Sequence, residues 1–167
     1  GGVAAADMVA SMDVLFLLGA DELDLSNKGA KFTVYIGSHG DQGAMNADVI
    51  LPGAAYTEKS GIWVNTEGRV QLGNRAGFAP GEAREDWAIL RALSDVLGKK
   101  LPFDSLSALR GQLYVAHPHL AETDEIVAGK ASDIEALAAK TGPLVKSAFA
   151  SPVKDFYLTN PIARASA

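Results

Sequence analysis

The loop Ser38-His39-Gly40-Asp41-Gln42-Gly43 comes nearest to binding chemistry in this sequence. It follows the apolar run Lys31–Ile36, which reads as a parallel strand, and backbone amides in a glycine-rich strand-end loop can cradle an anion. The other reading is a tight turn whose glycines take positive φ. Neither a P-loop lysine nor a dinucleotide-binding fingerprint accompanies the loop. A second strand end reads Gly19-Ala20-Asp21-Glu22. A pyrophosphate arriving there would meet two carboxylates, and like charges ~4 Å apart repel by about 1 kcal/mol in water and by several times that when partly desolvated. Gly19, Asp21, Ser38, His39, Gly40 and Asp41 are therefore the candidate residues for any ligand, with a loop-starting role as the plainer reading of Asp21.

The remaining polar residues do not assemble into a reactive set. The three histidines, His39, His117 and His119, show no HExxH or other ligand spacing. His39 reads as a loop-fixing hydrogen bonder, and the other two flank Pro118. Glu58, Glu67 and Arg69 suggest a polar knot or an ion pair near a hairpin, but nothing in the sequence sets two carboxylates across a substrate. No nucleophile elbow or Ser-His-Asp order is present. The chain has no cysteine, so disulfides, thiol catalysis and thiolate-held clusters are excluded within it. No catalytic residue and no metal ligand is assigned, and activity of the chain alone is not expected.

The elements that must position these residues follow from the hydrophobic pattern. Ala4–Met12 reads as a short helix, Val14–Leu18 as a central parallel strand ended by Gly19, and Lys31–Ile36 as a second strand. Asp21–Gly29 and Gly37–Asn46 read as loops, and Ala47–Leu51 as a third strand buried on both faces and stopped by Pro52-Gly53. The run Gly61–Asn65, the turn Thr66-Glu67-Gly68 and the alternation from Arg69 to Leu72 predict an antiparallel hairpin with Gly68 at positive φ. Glu82–Leu97 reads as the best helix, with Trp87, Leu90, Leu93, Val96 and Leu97 on one face and Gly98 after it. Asp104 is the expected N-cap of a helix carrying Leu106, Leu109 and Leu113. Weaker helical segments are expected at Glu122–Gly129 and Ser132–Lys140, and an extended tail after that, punctuated by Pro143, Pro152 and Pro161. Trp63 and Trp87 read as core aromatics. The fold class is α/β, a partial open parallel sheet with a hairpin and a helical, extended C-terminal part. Three regions are expected: a lobe over residues 1–81, helices over 82–141 packed on it, and a tail over 142–167.

Composition narrows the partners. At 167 residues, 48% hydrophobic and 21% charged, the chain suits a globular fold with a real core. A net charge of −5 argues against nucleic acid, since phosphate neutralisation needs a basic stripe. The longest apolar run, Val14–Leu18, is too short for a bilayer, so no direct membrane insertion is expected. The chain begins Gly1-Gly2-Val3 without an initiator methionine and reaches a strand almost at once, from which a longer parent chain is expected. An uncovered sheet edge would then belong against that parent, or drive a homo-oligomer.

Residues 47–71, with ADVILPGAAYTEKSG followed by VNTEGRVQ, closely resemble the molybdopterin-oxidoreductase-like domain of the large iron–sulfur (G-type) subunits of NADH:quinone oxidoreductase, respiratory complex I. The likeness continues through Ala83-Arg84-Glu85-Asp86-Trp87, LRALSDVLG, Lys154-Asp155-Phe156-Tyr157 and Ala163-Arg164-Ala165-Ser166, and so covers most of the chain. The resemblance implies a Rossmann-like lobe and a C-terminal portion of a peripheral-arm subunit. Its iron–sulfur clusters would lie upstream, its partners would be the upstream part and other complex I subunits, and its place would be the cytoplasmic face of a bacterial inner membrane or the matrix side of a mitochondrial one. The parent would pass electrons from NADH to quinone while this portion acts as a scaffold without cluster or pterin. In cofactor-binding members the turn after the first strand reads Gly-x-Asn-Pro; here Asp21-Glu22 replace the Asn-Pro pair. A functional molybdopterin dinucleotide domain of formate dehydrogenase type is the alternative, and an independent α/β module for a small anion is a third.

Overall fold

A computed structural model describes residues 2–166. Gly1 and Ala167, the outer ends of the expected lobe and tail, lie outside the described residues. Helix α1 (Ala5–Ser11) leads into β1 (Val14–Leu18), which pairs in parallel with β2 (Phe32–Gly37), and β2 pairs in parallel with β3 (Val49–Pro52). The sheet order is β1-β2-β3. The link between β1 and β2 carries no helix, whereas the glycine-rich link to β3 contains α2 (Gln42–Met45), where the sequence suggested only loop.

Both links fall on one face. Leu15 and Leu17 from β1 and Tyr35 from β2 pack there against Val9 of α1, Leu25 and Ala30 of the first link, and Ala44 and Ala47 of the second. Burying each of the two leucines contributes about 1.5–3 kcal/mol, so this small cluster holds the lobe together. The opposite face takes the alternate residues. Val14 (49% exposed), Phe16 (38%), Leu18 (49%), Phe32 (44%) and Val49 (37%) stay open, while Val34 and Ile36 in the middle strand are covered. The third strand is buried on neither face, although its unbroken apolar sequence suggested burial on both: Val49, beside Val34, is 37% exposed, and Ile50, beside Tyr35 on the core side, is 55% exposed. Parallel strands normally read as continuous apolar runs because both faces are covered. The residues fit that rule, but among the described residues the core-side cover stops short of Ile50, and on the other face only the middle strand is covered.

Pro52 does not end the ladder. Gly37 still pairs with Pro52, and the Gly53 amide donates to the Gly37 carbonyl at 2.9 Å. The Pro52 carbonyl instead accepts from Arg84 on the far side (3.1 Å), so its missing N–H faces the outer edge, where a proline is tolerated. Because Arg84 is held extended in that bridge, α3 starts at Asp86 and not at Glu82, and runs to Val96.

The hairpin forms as expected, with β4 (Gly61–Val64) antiparallel to β5 (Val70–Gly73) and Gly68 at φ +83°. Asn65 Oδ1 accepts from the amides of Glu67 and Arg69 and closes the turn. Trp63 is not a core aromatic: it is 46% exposed, and its indole lies across Gly61 and Gly73, where a Cβ on Gly73 would come 2.8 Å from Nε1.

Helix α3 departs most from its apolar pattern. Its buried residues are Arg91 and Ser94, while Val96 and Leu97 are exposed. Arg91 donates to the Phe103 carbonyl (2.8 Å), pairs with Asp95 (2.7 Å) and binds Asp104 (2.5 Å). Ser94 Oγ donates to the Arg91 carbonyl (2.6 Å) and accepts from Leu101 N. Since Asp104 is taken by Arg91, the N-cap of α4 (Leu106–Ala116) is the next residue, Ser105, whose hydroxyl accepts from Ala108 N. Residues 122–129 are not helical: a 3₁₀ turn at Pro118–Ala121 follows α4, and Asp124 takes φ 66° with its amide bonded to Val70 O. Helix α5 (Ala131–Ala138) has no buried residue. The tail is extended until a 3₁₀ turn at Phe156–Leu158 and α6 (Pro161–Ala165), which the prolines had masked although Pro161 sits at the favoured first helical position.

Candidate functional site

The C-terminal ends of parallel strands are where open α/β sheets gather ligands. Here β1 and β2 bring Gly19, Asp21, Ser38, His39, Gly40 and Asp41 to one rim, on the loops that follow the two strands. Gly19 supplies the φ of +60° that turns the chain off β1, with its amide bonded to Ile36 O at 2.7 Å.

Asp21 turns inward after that glycine and is 5% exposed. Its Oδ1 accepts from the amides of Asp41 and Gly43, each at 3.2 Å, and its Oδ2 accepts from the Tyr35 hydroxyl at 2.7 Å. The His39 carbonyl lies 2.9 Å from the same hydroxyl. The amides that such a loop would offer to an anion are therefore bonded to a carboxylate of this chain. Gly43 permits the close approach, because a Cβ there would stand 2.9 Å from Asp21 Oδ1. Burial pushes the Tyr35 phenol pKa well above the usual tyrosine value, and the hydrogen bond to Asp21 and the charges of Asp21 and Asp41 add to that.

Glu22 and Asp41 point the other way and hold Arg164 of α6. Arg164 Nε donates to Asp41 Oδ2 (2.8 Å) and Nη1 to Glu22 Oε1 (2.7 Å). Asn160, Pro161, Ile162 and Ala163 close one side of a cavity of about 690 Å³ whose other walls include Leu18, Ile36, Ser38, Lys59, Trp63 and Asp86. Lys59 and Asp86 pair within it at 2.5 Å. Ser38 Oγ and His39 Nδ1 sit 3.0 Å apart on the exposed rim.

The other polar candidates stay apart. Glu58 Oε2 accepts from Ala55 N and caps the 3₁₀ turn Tyr56–Glu58, while Glu67 and Arg69 belong to the hairpin tip. The rings of His117 and His119 meet edge to face at 6.1 Å. Among the described residues no three His, Asp or Glu side chains converge as a metal site requires. Sequence reasoning missed Tyr35 and Arg164. A buried tyrosine next to a strand end signals a need for an acceptor, but nothing local marks Arg164, whose partners lie far back in the chain.

The molybdopterin oxidoreductase family model matches residues 1–96, and the model for the C-terminal region of the NADH-ubiquinone oxidoreductase G-type subunit matches residues 119–167. The chain is 49% identical over 152 residues to the NADH-ubiquinone oxidoreductase 75 kDa subunit of Reclinomonas americana, covering 91% of this chain and 22% of that protein. It is 44% identical over 162 residues to the mitochondrial 78 kDa subunit of Candida albicans, with 91% and 22% covered, and 44% identical over 158 residues to that of Neurospora crassa, with 91% and 21% covered. The chain thus spans about a fifth of the length of these curated relatives. It belongs to the molybdopterin oxidoreductase family, and its C-terminal residues to the family of C-terminal regions of NADH-ubiquinone oxidoreductase G-type subunits.

Proposed function

We propose that the chain is a scaffold portion of a peripheral-arm subunit of an NADH-ubiquinone oxidoreductase, holding shape in NADH-to-quinone electron transfer without an iron–sulfur cluster or pterin of its own. The observation that carries this is Asp21. In a family named for a pterin cofactor, a pyrophosphate at the strand ends would need the amides of residues 41 and 43, and both are bonded to the Asp21 carboxylate. Displacing that carboxylate would leave it buried without its donors, which is costly for a charge. Glu22 and Asp41 share the single charge of Arg164, so with Asp21 the rim stays net negative. The residues present do not fit a dinucleotide phosphate.

The rest of the reading follows the relatives. The upstream part of the same subunit and neighbouring subunits are its partners, and the complex lies peripherally, on the matrix or cytoplasmic side. Among the described residues no helix is long and apolar enough to cross a membrane. Metal analysis and pterin fluorescence on the purified full-length subunit test the proposal. Iron without molybdenum, tungsten or pterin is expected; stoichiometric molybdenum or tungsten with a pterin would overturn it in favour of a formate dehydrogenase-like enzyme.

A further inference from the structure

We propose that the acidic rim of the strand-end crevice is a docking surface whose occupant is the chain's own C-terminal helix, α6, latched there by Arg164 across Glu22 and Asp41. The proposal rests on the cofactor-free reading and deepens it: it names what engages the acidic rim and closes one side of the crevice.

Three observations carry it. Residues 124–160 are exposed throughout, and partial burial resumes only at residues 161–164, where α6 meets the rim. The arm is therefore not packed along its length and is held at its far end. The second observation is charge. The rim offers two outward carboxylates, and the docked helix brings one guanidinium, whose Nε and Nη1 reach one carboxylate each at 2.8 and 2.7 Å. A planar guanidinium satisfies two separate acceptors in fixed directions; an ammonium does not. The third is that α6 is built to be presented. Asn160 Oδ1 caps it by accepting from Ala163 N at 2.9 Å, Pro161 pre-sets its first turn, and Arg164 Nη1 also reaches the Leu158 carbonyl at 3.3 Å, tying the helix to the turn before it.

The two carboxylates are unequal. The Asp41 side chain is 28% exposed and that of Glu22 is 70% exposed. Solvent screens the second pair more strongly, so Asp41 carries most of the hold. The latch also bears on the inner nest, since Asp41 gives its side chain to Arg164 and its amide to Asp21.

Hydrogen exchange followed by mass spectrometry on the full-length subunit tests this. Arg164→Ala and Arg164→Lys are expected to speed exchange of residues 161–166, and of the loop 38–43, by several-fold to about tenfold, the response of a local opening that leaves the global fold intact. Asp41→Asn should act more strongly than Glu22→Gln. The reversed pair Asp41→Lys with Arg164→Glu should regain protection relative to Arg164→Glu alone. Unchanged exchange in Arg164→Ala, or a reversed pair no better protected than the single reversal, overturns the latch. Metal and pterin content of the same wild-type preparation is read separately: a bound pterin defeats the scaffold reading, whereas the exchange pattern speaks to the latch.

Discussion

Asp21 is the residue on which the strand-end geometry turns, because three donors converge on one buried carboxylate. Asp21→Ala leaves two amides and a phenol without that acceptor, and a buried donor left unpaired costs about 1–3 kcal/mol. We expect a loss of about 2–4 kcal/mol in urea unfolding. Asp21→Asn should cost less, about 1 kcal/mol, because its Oδ1 still serves the amides and the Tyr35 hydroxyl can turn to the His39 carbonyl. Equal losses in the two variants would show that the carboxylate's charge, not its geometry, matters. Tyr35 supplies a pH test. Its folded pKa is raised, so below the ordinary value of 10.0 the phenol is protonated in both states and adds no pH dependence. As pH rises above that value the unfolded state loses the proton while the folded state keeps it, and stability falls. Tyr35→Phe should flatten this alkaline fall, as read from urea midpoints across the range. The sequence displayed both acids of the turn and the glycine-rich loop. It could not say that Asp21 points in and Glu22 out, because that follows from the positive φ of Gly19 and from the room left by Gly43.

At the scale of elements, regular pattern was legible and polar anchoring was not. The apolar run of β1, the hairpin turn at Gly68 and the short helix before β1 all follow from local sequence, and all are present. Helix α3 was found as a helix but not by the face it buries. Arg91, which periodicity counts as a solvent residue, lies inside because its guanidinium ties Asp95, Asp104 and the Phe103 carbonyl into the start of the next helix. The same pairing moved the α4 cap from Asp104 to Ser105, since a carboxylate held by arginine is no longer free to cap. Arg91 holds the Asp104 carboxyl below its usual pKa, so the pairing's contribution is present at neutral pH and is lost as pH falls through that lowered value. Arg91→Lys keeps the charge but cannot reach three acceptors at once. We expect Arg91→Lys to loosen residues 99–105 nearly as much as Arg91→Ala, seen as faster amide exchange there. Full protection in the lysine variant would mean that charge alone suffices.

At the scale of the whole molecule, the open sheet face decides how the chain behaves. Val14, Phe16, Phe32 and Val49 are exposed on the face away from the crossovers, around the covered Val34, and the outer edge of β1 has no strand beside it among the described residues. Both crossovers lie on the other face, so no element between β1 and β3 covers this one. A parallel sheet whose flanking strands leave apolar side chains open on one face is unusual, and such exposed apolar residues mark a contact surface. The chain spans 22% of its Reclinomonas relative, and on the proposed reading the cover for this face comes from the upstream part of the same subunit. Phe16 separates this from a face that simply stays wet. In the 167-residue chain alone, Phe16→Gln removes an exposed ring from a sticky surface and should reduce self-association with little effect on unfolding. In the full-length subunit the same change should bury an amide where a ring was packed, at a cost of about 2–4 kcal/mol from lost apolar burial and an unpaired polar group. The sign of the effect should thus reverse between the two chain lengths, as read by light scattering and urea unfolding. A substitution as harmless in the long chain as in the short one would mean that the upstream part packs elsewhere.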